Sequence, residues 1–164
     1  MNKELLEITE DTVRLLKEHN LTLSCAESCT GGMLSSYITC VSGVSDIYEL
    51  GVTSYSSNIK HKILGVKTET LQKFGAVSEE TAREMAKGVK KLSGSDIGLS
   101  VTGSAGPSPC EGHPPGYVFI GVSGEDFEKI KLLNIEPKSR NFVREQAVKS
   151  ILLLTQEYIK EFFE

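Results

Sequence analysis

One stretch near the start of the chain indicates the fold: Leu23-Ser24-Cys25-Ala26-Glu27-Ser28-Cys29-Thr30-Gly31-Gly32-Met33-Leu34-Ser35-Ser36. Apolar residues alternate in its first part and recur at helical spacing after the two glycines, which predicts a strand, a tight turn and a helix start. Such a turn holds side chains at the carboxyl end of a strand, beside helix amides that have no partner within the helix. Ser28 and Thr30 lie in this turn, where either could cap the helix, take part in chemistry, or do both.

Composition limits the classes of protein to consider. The 164 residues are 39% hydrophobic, which is enough for one sizeable core, so we expect a single domain over residues 1–164. The net charge of -4, with both signs well mixed, argues against nucleic acid or a membrane as partner. No apolar run approaches the roughly 18 residues of a membrane span and no signal peptide is present, which predicts a cytoplasmic protein. The cysteines and histidines lack the spacing of a metal site, so we expect no metal.

Strand and helix patterns alternate along most of the chain. A strand, helix, strand order requires a parallel crossover, whereas the proline-rich connection after the third strand has no helix and predicts an antiparallel fourth strand. The sequence therefore predicts a three-layer α/β/α sandwich with a mixed sheet of about five strands, mostly parallel with one antiparallel strand. The predicted helices cover 3–18, 31–41, 57–64, 67–74, 78–92 and the chain from 139, and the later strands cover 46–56, 97–102, 117–123 and 128–135.

Three loops that follow strands are rich in hydroxyl groups or glycine, namely 27–32, 55–60 and 102–107. In an open parallel sheet, ligands bind at the carboxyl ends of the strands, so we expect these loops to share one site. None of the three loops contains a histidine, which leaves Lys60 as the available base for a hydroxyl nucleophile. A lysine at this place could instead be an ordinary solvated lysine of a short helix. Tyr55 could relay a proton or orient the serine.

These loops and their neighbours resemble motifs of a known family. Several spaced motifs in the right order resemble those of the CinA C-terminal domain family, the nicotinamide-nucleotide amidohydrolases. The motifs are Ala26–Gly32, Ser54–Ser56 with Lys60, Gly75–Ser78 and Thr102–Pro107, and the departures from the family's usual pattern are Ser57, Ser104 and residues 108–116.

The resemblance implies hydrolysis of the carboxamide of nicotinamide mononucleotide to the acid and ammonia, without metal or cofactor. It places the family's serine, tyrosine and lysine at Ser28, Tyr55 and Lys60. It also implies a homo-oligomer. Of the domains that longer family members carry, the resemblance implies only the amidase domain.

Other residues complete the predicted site. The backbone amides of Cys29 and Thr30 would stabilise an oxyanion. The expected substrate-binding residues are Glu27, Gly31, Gly32, Thr102, Gly103 and Gly106, with Arg140 or Arg144 at the phosphate.

Two alternatives stay open at the level of sequence. The Cys29 thiol could be the nucleophile, because a thiol at a helix start has a lowered pKa. The same pocket could also bind a nucleotide or a pyridine compound without turning it over.

Overall fold

The computed structural model describes residues 1–164, and β1 (Leu23–Glu27) lies inside its sheet with a neighbour on each side. The strand order is β2-β1-β3-β4-β5. β1 runs parallel to β2 and β3, and β4 runs antiparallel to β3 and β5, which confirms a mixed sheet with one reversed strand. The remaining strands are β2 (Tyr48–Thr53), β3 (Ile97–Gly103), β4 (Tyr117–Ser123) and β5 (Glu128–Asn134).

Six α-helices cover the two faces of this sheet. α1, α2 and α6 pack together on one face, and α5 packs on the other with α3 and α4 beside it, which confirms the three-layer α/β/α architecture. Because helices cover both faces, every residue of β1 is buried. The helices are α1 (Lys3–Glu18), α2 (Met33–Thr39), α3 (Ser57–Leu64), α4 (Thr68–Phe74), α5 (Glu79–Ser93) and α6 (Arg140–Phe163).

Local chemistry explains where these helices begin. The side chain of Ser78 accepts a hydrogen bond of 3.1 Å from the N–H of Thr81 at the start of α5. Ser56 caps α3 in the same way, because its side chain accepts from the N–H of Ile59 at 3.2 Å. α2 is shorter than the predicted 31–41, since two glycines with positive φ precede it.

None of the helices combines the length and the apolar composition that a membrane span requires.

α5 approaches the end of α3 closely at Gly88. A Cβ at this position would lie 1.9 Å from the carbonyl oxygen of Leu64, the last residue of α3. Alanine is more favourable than glycine in a helix by roughly 1 kcal/mol, but at this position the added Cβ would force the backbone to move. We expect Gly88→Ala to lower the free energy of unfolding by about 1–3 kcal/mol in denaturant titrations. Lys91→Ala, at an exposed position of the same helix, should change it by less than about 0.5 kcal/mol. A more stable Gly88→Ala would contradict the close packing.

Candidate active site

The turn after β1 is held by the buried carboxylate of Glu27. One oxygen accepts from the N–H groups of Gly32 and Leu34 at 3.1 and 3.0 Å. The other accepts from the N–H and the hydroxyl of Ser35 at 2.9 and 2.7 Å. Glu27 therefore caps α2 from beneath, where a negative charge meets the positive end of the helix dipole. The prediction that Glu27 binds substrate is corrected, because both oxygens are engaged inside the protein and the side chain has no exposed surface.

Ser28 lies directly above this cap, at the carboxyl end of β1. Its N–H donates to the carbonyl of Val101 in β3 at 3.0 Å, which ties the start of the turn to the sheet. Neither Ser28 nor Thr30 caps α2, whose N-cap is Gly32 and lacks a side-chain hydrogen bond. The Ser28 hydroxyl is consequently free for other contacts.

Lys60 supplies the contact to that hydroxyl. Its Nζ lies 2.9 Å from Ser28 Oγ and 2.6 Å from the carbonyl oxygen of Ser54. Lys60 is 1% exposed, so the alternative of a solvated surface lysine does not hold. α3 explains the placement, since it begins just after Ser56 and turns Lys60 and Leu64, four residues apart, to its buried face.

Burial changes the proton affinity of this lysine. Loss of solvent lowers the pKa of Lys60 from 10.5 to about 8, although the negative charge of the nearby Glu111 opposes the shift. At neutral pH about a tenth of the molecules then carry a neutral amine. A neutral Nζ can donate one N–H to the Ser54 carbonyl while its lone pair accepts the Ser28 proton. This geometry is what a general base for a serine nucleophile requires.

The turn also offers two free amides. The N–H groups of Cys29 and Thr30 donate to no other group of the protein, whereas the N–H of Gly31 donates to the Ser28 carbonyl at 3.0 Å. The sequence predicts that these two amides are the oxyanion donors.

Arg144 of α6 fixes the orientation of the Thr30 amide. Its Nε donates to the Cys29 carbonyl at 3.2 Å and its Nη2 to the Thr30 carbonyl at 2.7 Å. In a planar trans peptide the N–H points opposite to the C=O, so the bond to the Cys29 carbonyl aims the Thr30 N–H away from Arg144. Arg144 is therefore a positioning residue of the turn, which corrects its predicted place at a phosphate.

The thiol of Cys29 is a poor candidate for the nucleophile. It is 6% exposed, and burial raises its pKa from 9.0 to about 11. The thiol therefore stays protonated at neutral pH, and the positive charges of Lys60 and the two arginines only partly offset the burial.

A cavity of about 140 Å³ opens in front of Ser28. Tyr55 lies at its exposed side, and its phenolic oxygen accepts from Nη2 of Arg140 at 3.0 Å. Tyr55 makes no hydrogen bond to Ser28 or Lys60, so the structure does not bring the predicted proton relay together. The cavity is lined by Ser28, Cys29, Tyr55, Gly103, Ser104, Ala105, Gly106, Ser108, Cys110 and Arg140.

The remaining predicted binding residues divide into two groups. Gly103 and Gly106 line the cavity, as expected of residues that approach a ligand closely. Thr102 does not, because its buried hydroxyl donates to the Ala76 carbonyl at 2.8 Å, so its predicted contact with substrate is corrected. Gly31 and Gly32 form the turn with positive φ and do not line the cavity either.

Sequence reasoning missed two contributors to the site. The Ser54 carbonyl that holds Lys60 is a backbone group, so no residue type marks it. Glu111 ties the loop 107–116 to the start of α5, since its carboxylate accepts from the N–H groups of Ala76 and Val77 at 3.0 and 3.1 Å. An acidic residue in a variable loop gives no local signal of such a distant partner.

The fold and the site define a three-layer α/β domain that buries a lysine against a serine at the carboxyl end of a parallel strand. The model of the CinA C-terminal domain matches residues 5–159, and the chain belongs to this family. No cluster of three or more His, Cys, Asp or Glu residues that could hold a metal ion is present.

Relatives and solved structures agree with this membership. A CinA-like protein of Kosmotoga olearia is 48% identical over 85% of this chain and 34% of its own length. One of Thermotoga neapolitana is 44% identical over 98% of this chain and 39% of its own length. The chain thus spans about a third of the curated relatives it matches. The crystal structure of a CinA superfamily protein from Klebsiella pneumoniae 700603 superposes with a TM-score of 0.94 at 30% identity, covering 99% of this chain and 100% of that one.

Arg144 provides a test of the turn. Arg144→Ala leaves the carbonyls of Cys29 and Thr30 without their donor, and we expect the free energy of unfolding to fall by roughly 1–3 kcal/mol. The free energy of unfolding of Arg144→Lys should lie between those of the wild type and Arg144→Ala, because one ammonium cannot make both hydrogen bonds of the guanidinium. Arg14→Ala, on the exposed side of α1, is the matched control in thermal or denaturant unfolding. Equal stability of Arg144→Ala and Arg14→Ala would mean that Arg144 does not brace the turn.

Proposed function

We propose that this domain hydrolyses the carboxamide of nicotinamide mononucleotide to nicotinate mononucleotide and ammonia, with Ser28 as nucleophile and Lys60 as base. The observation that carries the proposal is the 2.9 Å contact between Ser28 Oγ and the Nζ of a buried lysine. The choice of substrate rests on the sequence resemblance, because the names of the CinA-like relatives refer to no reaction.

The first half of the reaction forms an acyl-enzyme. Neutral Lys60 takes the proton of Ser28 while Oγ attacks the carboxamide carbon, and the C=O electrons move onto the oxygen. When this tetrahedral intermediate collapses, the C–N bond breaks and the Lys60 ammonium returns the proton to the leaving nitrogen, which departs as ammonia. An ester between Ser28 and the pyridine carboxyl group remains.

The second half restores the serine. Water attacks the ester carbon, neutral Lys60 takes a proton from that water, and the C–O bond to Ser28 breaks with return of the proton to Oγ. The resulting acid gives its remaining proton to the released ammonia or to solvent and leaves as its carboxylate. Lys60 carries the protons that Ser28 and the attacking water lose to the enzyme, so the mechanism needs no metal-bound water.

The free amides of Cys29 and Thr30 are the proposed oxyanion donors of both halves. Loss of one such donor typically costs about 2.7–4 kcal/mol of barrier, so their fixed orientation matters. Glu27 and Arg144 hold the turn, one by capping α2 and the other by bonding the Cys29 and Thr30 carbonyls, and the bond to the Cys29 carbonyl orients the Thr30 amide.

We place the nucleotide part of the substrate at the exposed side of the cavity. Arg140 lies there, and its guanidinium uses two of its nitrogens for the Gly106 carbonyl and the Tyr55 hydroxyl. A phosphate at this mouth would meet a charge that is already oriented, so we place the phosphate contact at Arg140 rather than Arg144. The homo-oligomer, the single domain and the cytoplasmic location that the sequence predicts remain predictions.

The reaction itself is the first test. Purified protein incubated with nicotinamide mononucleotide should release ammonia and nicotinate mononucleotide in equal amounts, and a chelator should leave the rate unchanged. Activity that disappears with chelator and returns with zinc would contradict the Lys60 mechanism. Tight binding of the nucleotide without any ammonia release would favour a non-catalytic binding module.

The role of Lys60 is tested by substitution and by pH. Because Lys60 must be neutral to accept a proton, kcat/KM should rise with pH through about 8 and level off above it. Lys60→Arg keeps the charge but cannot lose a proton, so it and Ser28→Ala should each lose at least about a hundredfold in rate. The double variant should be little worse than either, since the pair acts as a unit.

The matched control is Lys62→Arg, at an exposed lysine of the same helix, which should keep the wild-type rate and pH profile. Near-full activity of Lys60→Arg with an unchanged pH profile would exclude Lys60 as the base.

A further inference from the structure

Almost all buried hydroxyl groups in this protein have a hydrogen-bond partner. Three buried side-chain oxygens lack a hydrogen bond: Thr30 Oγ1, Ser104 Oγ and Glu128 Oε2. The Glu128 oxygen lies 3.0 Å from Nζ of Lys87, so an ion pair accounts for it. Of the other two, only Ser104 lines the cavity in front of Ser28.

The backbone of Ser104 is held in place by two hydrogen bonds. Its N–H donates to the Tyr117 carbonyl at 2.9 Å, and its carbonyl accepts from the N–H of Gly116 at 2.7 Å. These bonds extend the β3–β4 pairing by one step beyond Gly103. The side chain is therefore held in the cavity wall at 1% exposure with an unmade hydrogen bond, which is unfavourable unless a ligand completes it.

The residues that line the cavity differ in exposure. Ser28, Cys29, Ser104 and Ala105 are buried, whereas Tyr55 and Arg140 are exposed. The group that reacts with Ser28 must come next to that buried residue, and a charged phosphate belongs beside the exposed residues. A buried hydroxyl in the lining is thus suited to the reacting group rather than to the phosphate.

We propose that the Ser104 hydroxyl hydrogen-bonds the reacting carboxamide and is a specificity-determining residue of this site. The inference rests on the proposed function and adds a recognition contact to it. A hydroxyl can donate to the amide oxygen or accept from the amide nitrogen, so it favours a carboxamide over an apolar group of the same shape.

The test combines activity with stability. Ser104→Ala removes the hydroxyl, and we expect kcat/KM for nicotinamide mononucleotide to fall roughly ten- to hundredfold. The unfolding midpoint should stay the same or rise, because no hydrogen bond of the folded protein is lost. In a Ser28→Ala background, the same change should weaken binding of nicotinamide mononucleotide in calorimetry.

Ser100→Ala is the matched control with the opposite expectation. Ser100 is likewise a buried serine, within β3, but its hydroxyl donates to the Ala82 carbonyl at 2.7 Å and it lies outside the cavity. Its loss should lower the unfolding midpoint and leave kcat/KM unchanged.

The outcomes separate the two proposals. Wild-type protein that releases no ammonia overturns the proposed function and this inference with it. An active wild type with an equally active Ser104→Ala overturns only the inference. A Ser104→Ala that loses activity and stability together, as a packing residue would, also overturns it.

Discussion

The site depends on one buried carboxylate at the carboxyl end of β1. Glu27 accepts three amides and one hydroxyl from the start of α2, which uses the donors that a helix N-terminus would otherwise leave open. The amides that remain free in the turn are those of Cys29 and Thr30. A carboxylate with four donors is held in one place, and so is the serine that follows it. Rigidity here matters because oxyanion donors act only when they are already aligned.

Burial of Lys60 is the second constraint, and it follows from packing rather than from charge pairing. No carboxylate lies within hydrogen-bond distance of Nζ, whose partners are the Ser54 carbonyl and the Ser28 hydroxyl. Neutral oxygen partners compensate an ammonium only in part, so loss of water dominates and the pKa falls. A salt bridge in the same place would raise the pKa and remove the base. A lowered lysine pKa in a cavity is typical of a functional site.

The family match concerns this domain and not the full length of the longer relatives. The chain matches about a third of the length of those proteins, so the proposed chemistry concerns this domain alone. A solved CinA superfamily structure from Escherichia coli shares the fold at 28% identity with a TM-score of 0.89. At that level of similarity the layered architecture is shared, whereas the function of each protein is carried by the residues of its site.

Hydrophobic periodicity and turn residues determined the order of elements, the parallel crossover, the reversed fourth strand and the edge that carries the three loops. These features depend on neighbours in sequence, where periodicity and proline act. Tertiary structure alone decided that Lys60 is buried beside polar neighbours, that Glu27 caps a helix and that Arg144 braces a turn 115 residues away. Solvent exposure and hydrogen-bond partners are set by groups brought together from distant parts of the chain, and no local pattern records them.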